Sequence, residues 1–270
     1  MSNTELLAKT IRIHALRMVA AAKASHIGSC LSCADILAVL YGEILRINPV
    51  CCNDPNRDIF IMSKGHAAAV LYAVLAESDF FPISWLDSYC CNGSVLAGHV
   101  SKHGVPGVEL STGSLGHGLS VGCGFAIAAK ADNKPTRTFV LLSDGECDEG
   151  SNWEAVLCAS HFKLDNLVAI IDFNKIQSFG SVEEVMNLEP FADKWKSFGW
   201  AVHEVDGHDH SILKSVFQFT TTDQGKPSVV IAHTTKGKGV KYMENELLWH
   251  YRNPNDDQLK QAIAELDKTE

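Results

Sequence analysis

Three stretches of the chain, RTFVLL (137–142), LVAIID (167–172) and SVVIAH (228–233), carry apolar centres with no polar alternation. A strand with one wet face alternates apolar and polar residues. A run that does not alternate is buried on both faces, as in a parallel sheet covered by helices. IFIM (59–62) and WAVHEV (200–205) add two shorter candidates. Between them lie helical patterns: Thr4 to Ala22, Ser32 to Leu45, GHAAAVLYAVLAES after the first strand, a small-residue helix ending near Ala131, and Trp153 to Phe162. Strands alternating with helices predict an α/β fold with a parallel sheet and helices on both faces. In such sheets ligands bind at the carboxyl ends of the strands. That rule points to the loops at 143–150, 173–180 and 206–211, and to the Gly-rich loop 111–118.

The 270 residues suffice for one large core, and a single domain over 1–270 is expected. The first helical pattern mixes acids and bases, unlike a signal peptide, and no apolar run approaches a membrane span. Net charge is −9, from 23 basic and 32 acidic side chains. Apart from KGKGVK (236–241) the basic residues are scattered, so no nucleic-acid partner is expected. Nine cysteines include one CxxC, Cys30 and Cys33, and two adjacent pairs, Cys51–Cys52 and Cys90–Cys91. A zinc ribbon needs two pairs at ligand spacing, so inert thiols in a reducing cytoplasm are expected.

LLSDGECDEG (141–150) puts four carboxylates directly after a buried strand. A calcium loop starting at Asp144 would need Gly at its sixth place and Glu at its twelfth; Glu149 and Ala155 stand there. No GxxxxGK[ST] phosphate loop occurs either. What remains is Asp144 at one strand end and Asn174 at the next, thirty residues on. One strand–helix–strand unit brings them to the same sheet edge. A carboxylate, an amide oxygen and backbone carbonyls suit a hard divalent cation that also holds phosphates. Gly145 permits close backbone approach, and the helix after Gly150 offers its amino end to the anion. The plainer reading, a capping Asp and a turn-forming Asn, stands equally on these two residues alone.

SDGE followed after 27 residues by Asn resembles the thiamine diphosphate motif, with Ser143 in place of its first Gly. SHIGSCLSCADILAVLY (25–41), SKGHAA (63–68), GVELSTGSLGHGLSVGCGFA (107–126), DEGSNWEA (148–155) and TTKGKGVKYMEN…WH (234–250) resemble transketolase, in transketolase order. The resemblance covers nearly the whole chain but only the diphosphate-binding, amino-terminal part of that family. It implies Mg²⁺ (or Ca²⁺ or Mn²⁺) held by Asp144, Asn174 and the carbonyl of Ile176. It implies thiamine diphosphate touched by Gly145, Asn174, His66 and His250, with the backbone of Gly113, Ser114 and Leu115 against its aminopyrimidine. His26, His99 and His250 would line the sugar channel as catalytic groups, since proton moves on substrate hydroxyls call for imidazoles titrating near neutrality.

By the same resemblance Glu149 lies near a subunit interface and His117 borders the cofactor pocket; Glu146 and Asp148 read as solvated or capping groups. His103, His161, His203, His208, His210 and His233 are read as structural or surface residues. The family's pyrimidine-binding and carboxyl-terminal domains, with the Glu that activates the cofactor, have no counterpart in this sequence. A split transketolase is therefore expected: this subunit with a separate carboxyl-terminal chain, as α2β2, moving a two-carbon ketol unit from a ketose, phosphorylated by expectation, to an aldose. The polar helical ending NDDQLKQAIAELDKTE is expected to be a natural end rather than a cut. Competing expectations are a deoxyxylulose-phosphate synthase-like or 2-oxo acid dehydrogenase E1-like subunit, or a non-catalytic regulatory subunit of the same fold.

Overall fold

The computed structural model describes residues 1–220 and 225–268. Its helices and strands are α1 (Asn3–Ala22), α2 (Ile27–Ser32), α3 (Ala34–Val39), β1 (Ile59–Met62), α4 (Ala68–Glu77), α5 (Gly118–Ala131), β2 (Thr138–Ser143), α6 (Gly150–His161), β3 (Leu167–Phe173), α7 (Val182–Val185), α8 (Phe191–Ser197), β4 (Ala201–Asp206), α9 (His210–Phe219), β5 (Ser228–His233) and α10 (Asp256–Asp267). The expected ends of the last helical run, Thr269 and Glu270, lie outside the described residues.

The five strands form one parallel sheet in the order β1-β2-β3-β5-β4. The expected α/β fold is thus present. Every residue of β1, β2 and β3 is buried, which is why their sequences do not alternate. β4 lies at the edge and is only partly covered. Two apolar cores flank the sheet. One gathers α1 to α4 around Leu16, Ile36, Leu71 and Phe139. The other gathers α5, α6 and α8 around Leu119, Val156, Trp195 and Ile171.

One expectation on helices needs correction. The run from Ser32 to Leu45 is not one helix. α2 begins earlier, after His26 in a left-handed conformation (φ 72°), and breaks at Cys33; α3 then ends in a π-turn over Leu40–Ile44. At the break the Leu31 carbonyl accepts from the Arg12 guanidinium at 3.1 and 3.2 Å, so a partner from α1 replaces an intrahelical bond. The helix that holds Trp153 runs from Gly150 to His161, with its amino end at the loop after β2 as expected.

The parallel register sets the strand ends side by side. Ser143 pairs with Asp172 and Phe173 with His233. Asp144, Asn174 and Thr234 therefore leave three adjacent strands at one edge of the sheet.

Candidate active site

A cavity of about 380 Å³ opens at that carboxyl edge. His26, His66, His99, Gly113, Leu115, Asp144, Gly145, Asn174, Ile176 and His250 all line it, ten of the eleven site residues expected from sequence. The eleventh, Ser114, is exposed and contributes to this loop between two lining residues. His117 is exposed at the start of α5 and does not line the cavity.

The floor is built from buried charge. Lys64 and Asp172 are both fully buried and paired with each other. Such ions cost several kcal/mol each unless every polar atom is answered. They are answered. Lys64 also donates to the Ser29 carbonyl at 3.3 Å, and Asp172 accepts from Ser32 at 2.6 Å and from the Thr234 hydroxyl. Burial alone would discharge the pair; the mutual attraction outweighs it, raising Lys64 and lowering Asp172.

Asp172 also accepts from the Asn174 amide nitrogen at 3.5 Å, which orients the Asn174 oxygen the other way, where it accepts from Ile176 N at 3.1 Å. Asp144 accepts from Gly145 N at 2.7 Å and Lys175 N at 2.6 Å, joining the β2 and β3 ends. The capping and turn bonds of the plainer reading are thus present, and each oxygen keeps a further lone pair for a ligand. Burial, reinforced by the Asp172 charge, lifts Asp144 to about 7. A carboxylate so destabilised calls for a cation.

Lys236 supplies one. It is buried to 1% exposure, and its ammonium donates to the Ile176 carbonyl at 2.8 Å and meets His250 Nδ1 at 2.9 Å. Burial depresses it to about 8. Among the described residues no three His, Cys, Asp or Glu side chains converge as metal ligands. The expected set is consistent with this, since only Asp144 belongs to those types. Gln177 Nε2 is a buried donor without a partner, and a Cβ placed on Gly145 would meet this side chain at 3.2 Å. An unanswered donor beside Gly145, a carboxylate, an amide oxygen and an ammonium fit a metal–diphosphate group.

Above this floor the His26 ring lies 5.3 Å from His66, 5.7 Å from His99 and 4.9 Å from His250, centroid to centroid. His26 Nδ1 is buried and unpartnered. Burial first, then neighbouring positive charge, lowers His26 to about 4, His250 to about 3 and His66 well below its usual value. The sequence-based expectation of imidazoles titrating near neutrality is corrected for His26 and His250; these two, and the cofactor-facing His66, are neutral at pH 7.

Glu146 also departs from expectation. It is fully buried, not solvated. Its carboxylate accepts from the Ser63 hydroxyl, Gly116 N at 3.0 Å and Ser143 N at 3.3 Å, tying the 111–118 loop to two strand ends. Asp148 and Glu149 are exposed. Sequence reading missed Lys236, Lys64, Asp172 and Gln177. A signal for the first three existed: Asp172 is a charge near the end of an apolar strand, and Lys64 and Lys236 follow two and three residues beyond such strands. The nine cysteines are free, and burial raises Cys30 to about 11 and Cys33 to about 12, as inert thiols require.

A parallel sheet with a hard-oxygen pair at its edge, roofed by four imidazoles, offers a cavity suited to a metal–diphosphate group. Residues 3–267 match the family described as transketolase, thiamine diphosphate binding domain, and the chain belongs to that family. It is 44% identical over 264 residues to an apulose-4-phosphate transketolase subunit of Phocaeicola vulgatus, covering 98% of this chain and 94% of that protein. It is 38% identical to the 6-deoxy-6-sulfo-D-fructose transketolase subunit SqwG of Clostridium sp., covering 97% and 95%. Transketolase from Leishmania mexicana superposes with a TM-score of 0.93 at 30% identity, covering 99% of this chain and 42% of that one. The chain thus spans about two fifths of the length of the solved transketolases it matches.

Proposed function

We propose that this chain is the diphosphate-binding subunit of a two-chain transketolase. It transfers a two-carbon ketol unit from a ketose, phosphorylated in this reading, to an aldose. The observation that carries the proposal is the convergence of His26, His66, His99 and His250 over the Asp144–Asn174 edge in one cavity. The names of two full-length relatives as transketolase subunits support the division into chains. The partner would carry the pyrimidine-binding domain, with two copies of each chain and Glu149 near their contact. Nine free thiols fit a reducing cytoplasm, and no helix among the described residues is long and apolar enough to cross a membrane.

Asp144, Asn174 and the Ile176 carbonyl would hold Mg²⁺ (Ca²⁺ or Mn²⁺ in its place), and Gly145, Gln177 and Lys236 would face the diphosphate. Bound thiamine diphosphate supplies the electron sink for cleaving the ketose carbon–carbon bond. The protein's own part is placement. His26, whose Nδ1 is buried without a partner, and His250, whose Nδ1 meets the Lys236 ammonium, would act as neutral hydrogen-bonding groups that orient the sugar hydroxyls. His99, on the exposed side, would meet the incoming sugar. The buried Lys64–Asp172 pair keeps the floor rigid beneath them.

The test is reconstitution with the separate carboxyl-terminal chain. The mixture should transfer ketol units from a ketose phosphate, and this chain alone should not. In the same assay Asp144→Ala should be silent and should show no Mg²⁺-dependent thiamine diphosphate binding by calorimetry, with an unchanged circular dichroism spectrum. Full activity of this chain alone, or unchanged binding by Asp144→Ala, would refute the reading.

A further inference from the structure

A second polar centre lies beyond the β4 end, outside the cavity. Asp35 on α3 is buried, and Arg12 from α1 grips both its oxygens, at 2.9 and 2.6 Å. The same oxygens meet His208 Nδ1 at 2.6 Å and His210 Nε2 at 3.1 Å. Burial would raise Asp35; Arg12 and the two imidazoles hold it well below the usual carboxylate range. An ionised carboxylate only accepts, so His208 Nδ1 carries the proton and donates it. In the neutral ring this leaves Nε2 as an acceptor, and it accepts the backbone N–H of Thr235 at 2.8 Å. Both ring nitrogens are committed, and the tautomer is fixed.

Thr235 stands between two residues of the site. Thr234 donates its hydroxyl to Asp172, and Lys236 reaches the Ile176 carbonyl and His250. The turn before His208 packs on the same segment: a Cβ on Gly207 would meet the Thr234 side chain at 2.5 Å. Beyond Lys236 the chain is pinned again, Gly237 N donating to the Gly28 carbonyl at 3.0 Å.

We propose that His208 is a positioning residue. Through the Thr235 amide it fixes segment 234–236, and so sets Lys236 against the Ile176 carbonyl and His250. The inference rests on reading the cavity as the cofactor site. Its physical content is that a long ammonium side chain is aimed by its backbone, and an error of about 1 Å there can cost about a hundredfold in rate.

Two near-isosteric substitutions separate the two bonds of the ring. His208→Gln keeps an acceptor near the Nε2 position. His208→Asn keeps a donor near Nδ1 and leaves the Thr235 N–H unanswered. Hydrogen exchange of the Thr235 and Lys236 amides in this chain should match wild type in His208→Gln. It should be about tenfold faster in His208→Asn, the worth of one hydrogen bond. In the reconstituted two-chain enzyme His208→Asn should lose roughly ten- to a hundredfold in kcat, with KM for the ketose little changed. His208→Gln should recover most of it. Equal behaviour of the two variants, whether both intact or both impaired, overturns the inference. Lys236→Met is the control: full activity there refutes the reading of the cavity, while amide exchange still decides the His208 contact.

Discussion

Three neutral histidines beside two buried lysines give the site a definite acid response. Because the folded protein holds His26 near 4 and His250 near 3, the unfolded chain binds their protons first, starting from the ordinary value of 6.5. Protons taken up by the unfolded state lower stability as pH falls. The effect is absent above about pH 7 and grows from 6.5 downward through the folded values. Asp144, raised from 3.8 to about 7, works in the opposite direction, so the histidine contribution must be read as a difference. Urea unfolding of wild type against His250→Asn should show a constant gap above pH 7. Between pH 6.5 and 4 the gap should shift in the variant's favour, by up to about 1.4 kcal/mol per pH unit, the limit for one proton. A gap independent of pH would mean that His250 is not held neutral by burial. The positions of the histidines were legible in the sequence because each stands in a local motif. Their depressed pKa values were not, since desolvation depends on what the fold packs around them. Glu146 was misread and Lys236 missed for the same reason: burial of one member of an acidic or basic run depends on how the sheet edge closes over it.

Helix α5 shows how closely the elements around the site are fitted. It leans on the sheet through two glycines: a Cβ on Gly118 would come within 2.2 Å of the Ser63 hydroxyl, and one on Gly122 within 2.6 Å of a Val140 methyl. Gly124, on the same helix, faces open space. The three therefore answer differently to added volume. Gly122→Leu should destabilise the isolated chain by about 1–3 kcal/mol through overpacking. Gly124→Ala should stabilise it by roughly 0.5–1 kcal/mol, by reducing the freedom of the unfolded backbone and improving helix propensity. Urea midpoints measure both; equal responses would deny the close contact of α5 with β2. The small-residue pattern GLSVGCGFA made this helix visible in the sequence, but not which glycine touches the sheet. Strand runs were legible almost to the residue because burial on both faces leaves an unbroken apolar signature. The break between α2 and α3 was not, because its cause is Arg12, nineteen residues away from the Leu31 carbonyl it captures.

At the cavity mouth exposed polar groups, His99, Asp148 and Glu149, stand beside an exposed aromatic ring. Phe179 lines the cavity yet is 85% exposed, and Tyr251, half exposed, hangs its hydroxyl on the Ser178 carbonyl at 2.8 Å beside it. In the proposed two-chain arrangement these exposed rings at the rim would be the contact for the second subunit. The occupant in this reading is the chain bearing the pyrimidine-binding domain, whose approach would bury Phe179 and exclude water from the histidines. Phe179→Glu isolates that role. Since the ring is almost fully exposed in this chain, the variant's own melting temperature should stay within about 1 °C of wild type, a surface change of a few tenths of a kcal/mol at most. Its affinity for the partner should fall roughly tenfold or more, because a charge at the centre of an aromatic contact must be desolvated without a counterion. Titrating the partner against a fixed amount of variant should shift the activity midpoint to higher concentration and reach a plateau near that of wild type. An unshifted midpoint would place the partner elsewhere on the surface, and a lowered plateau at an unshifted midpoint would give Phe179 a part in the chemistry instead of the assembly.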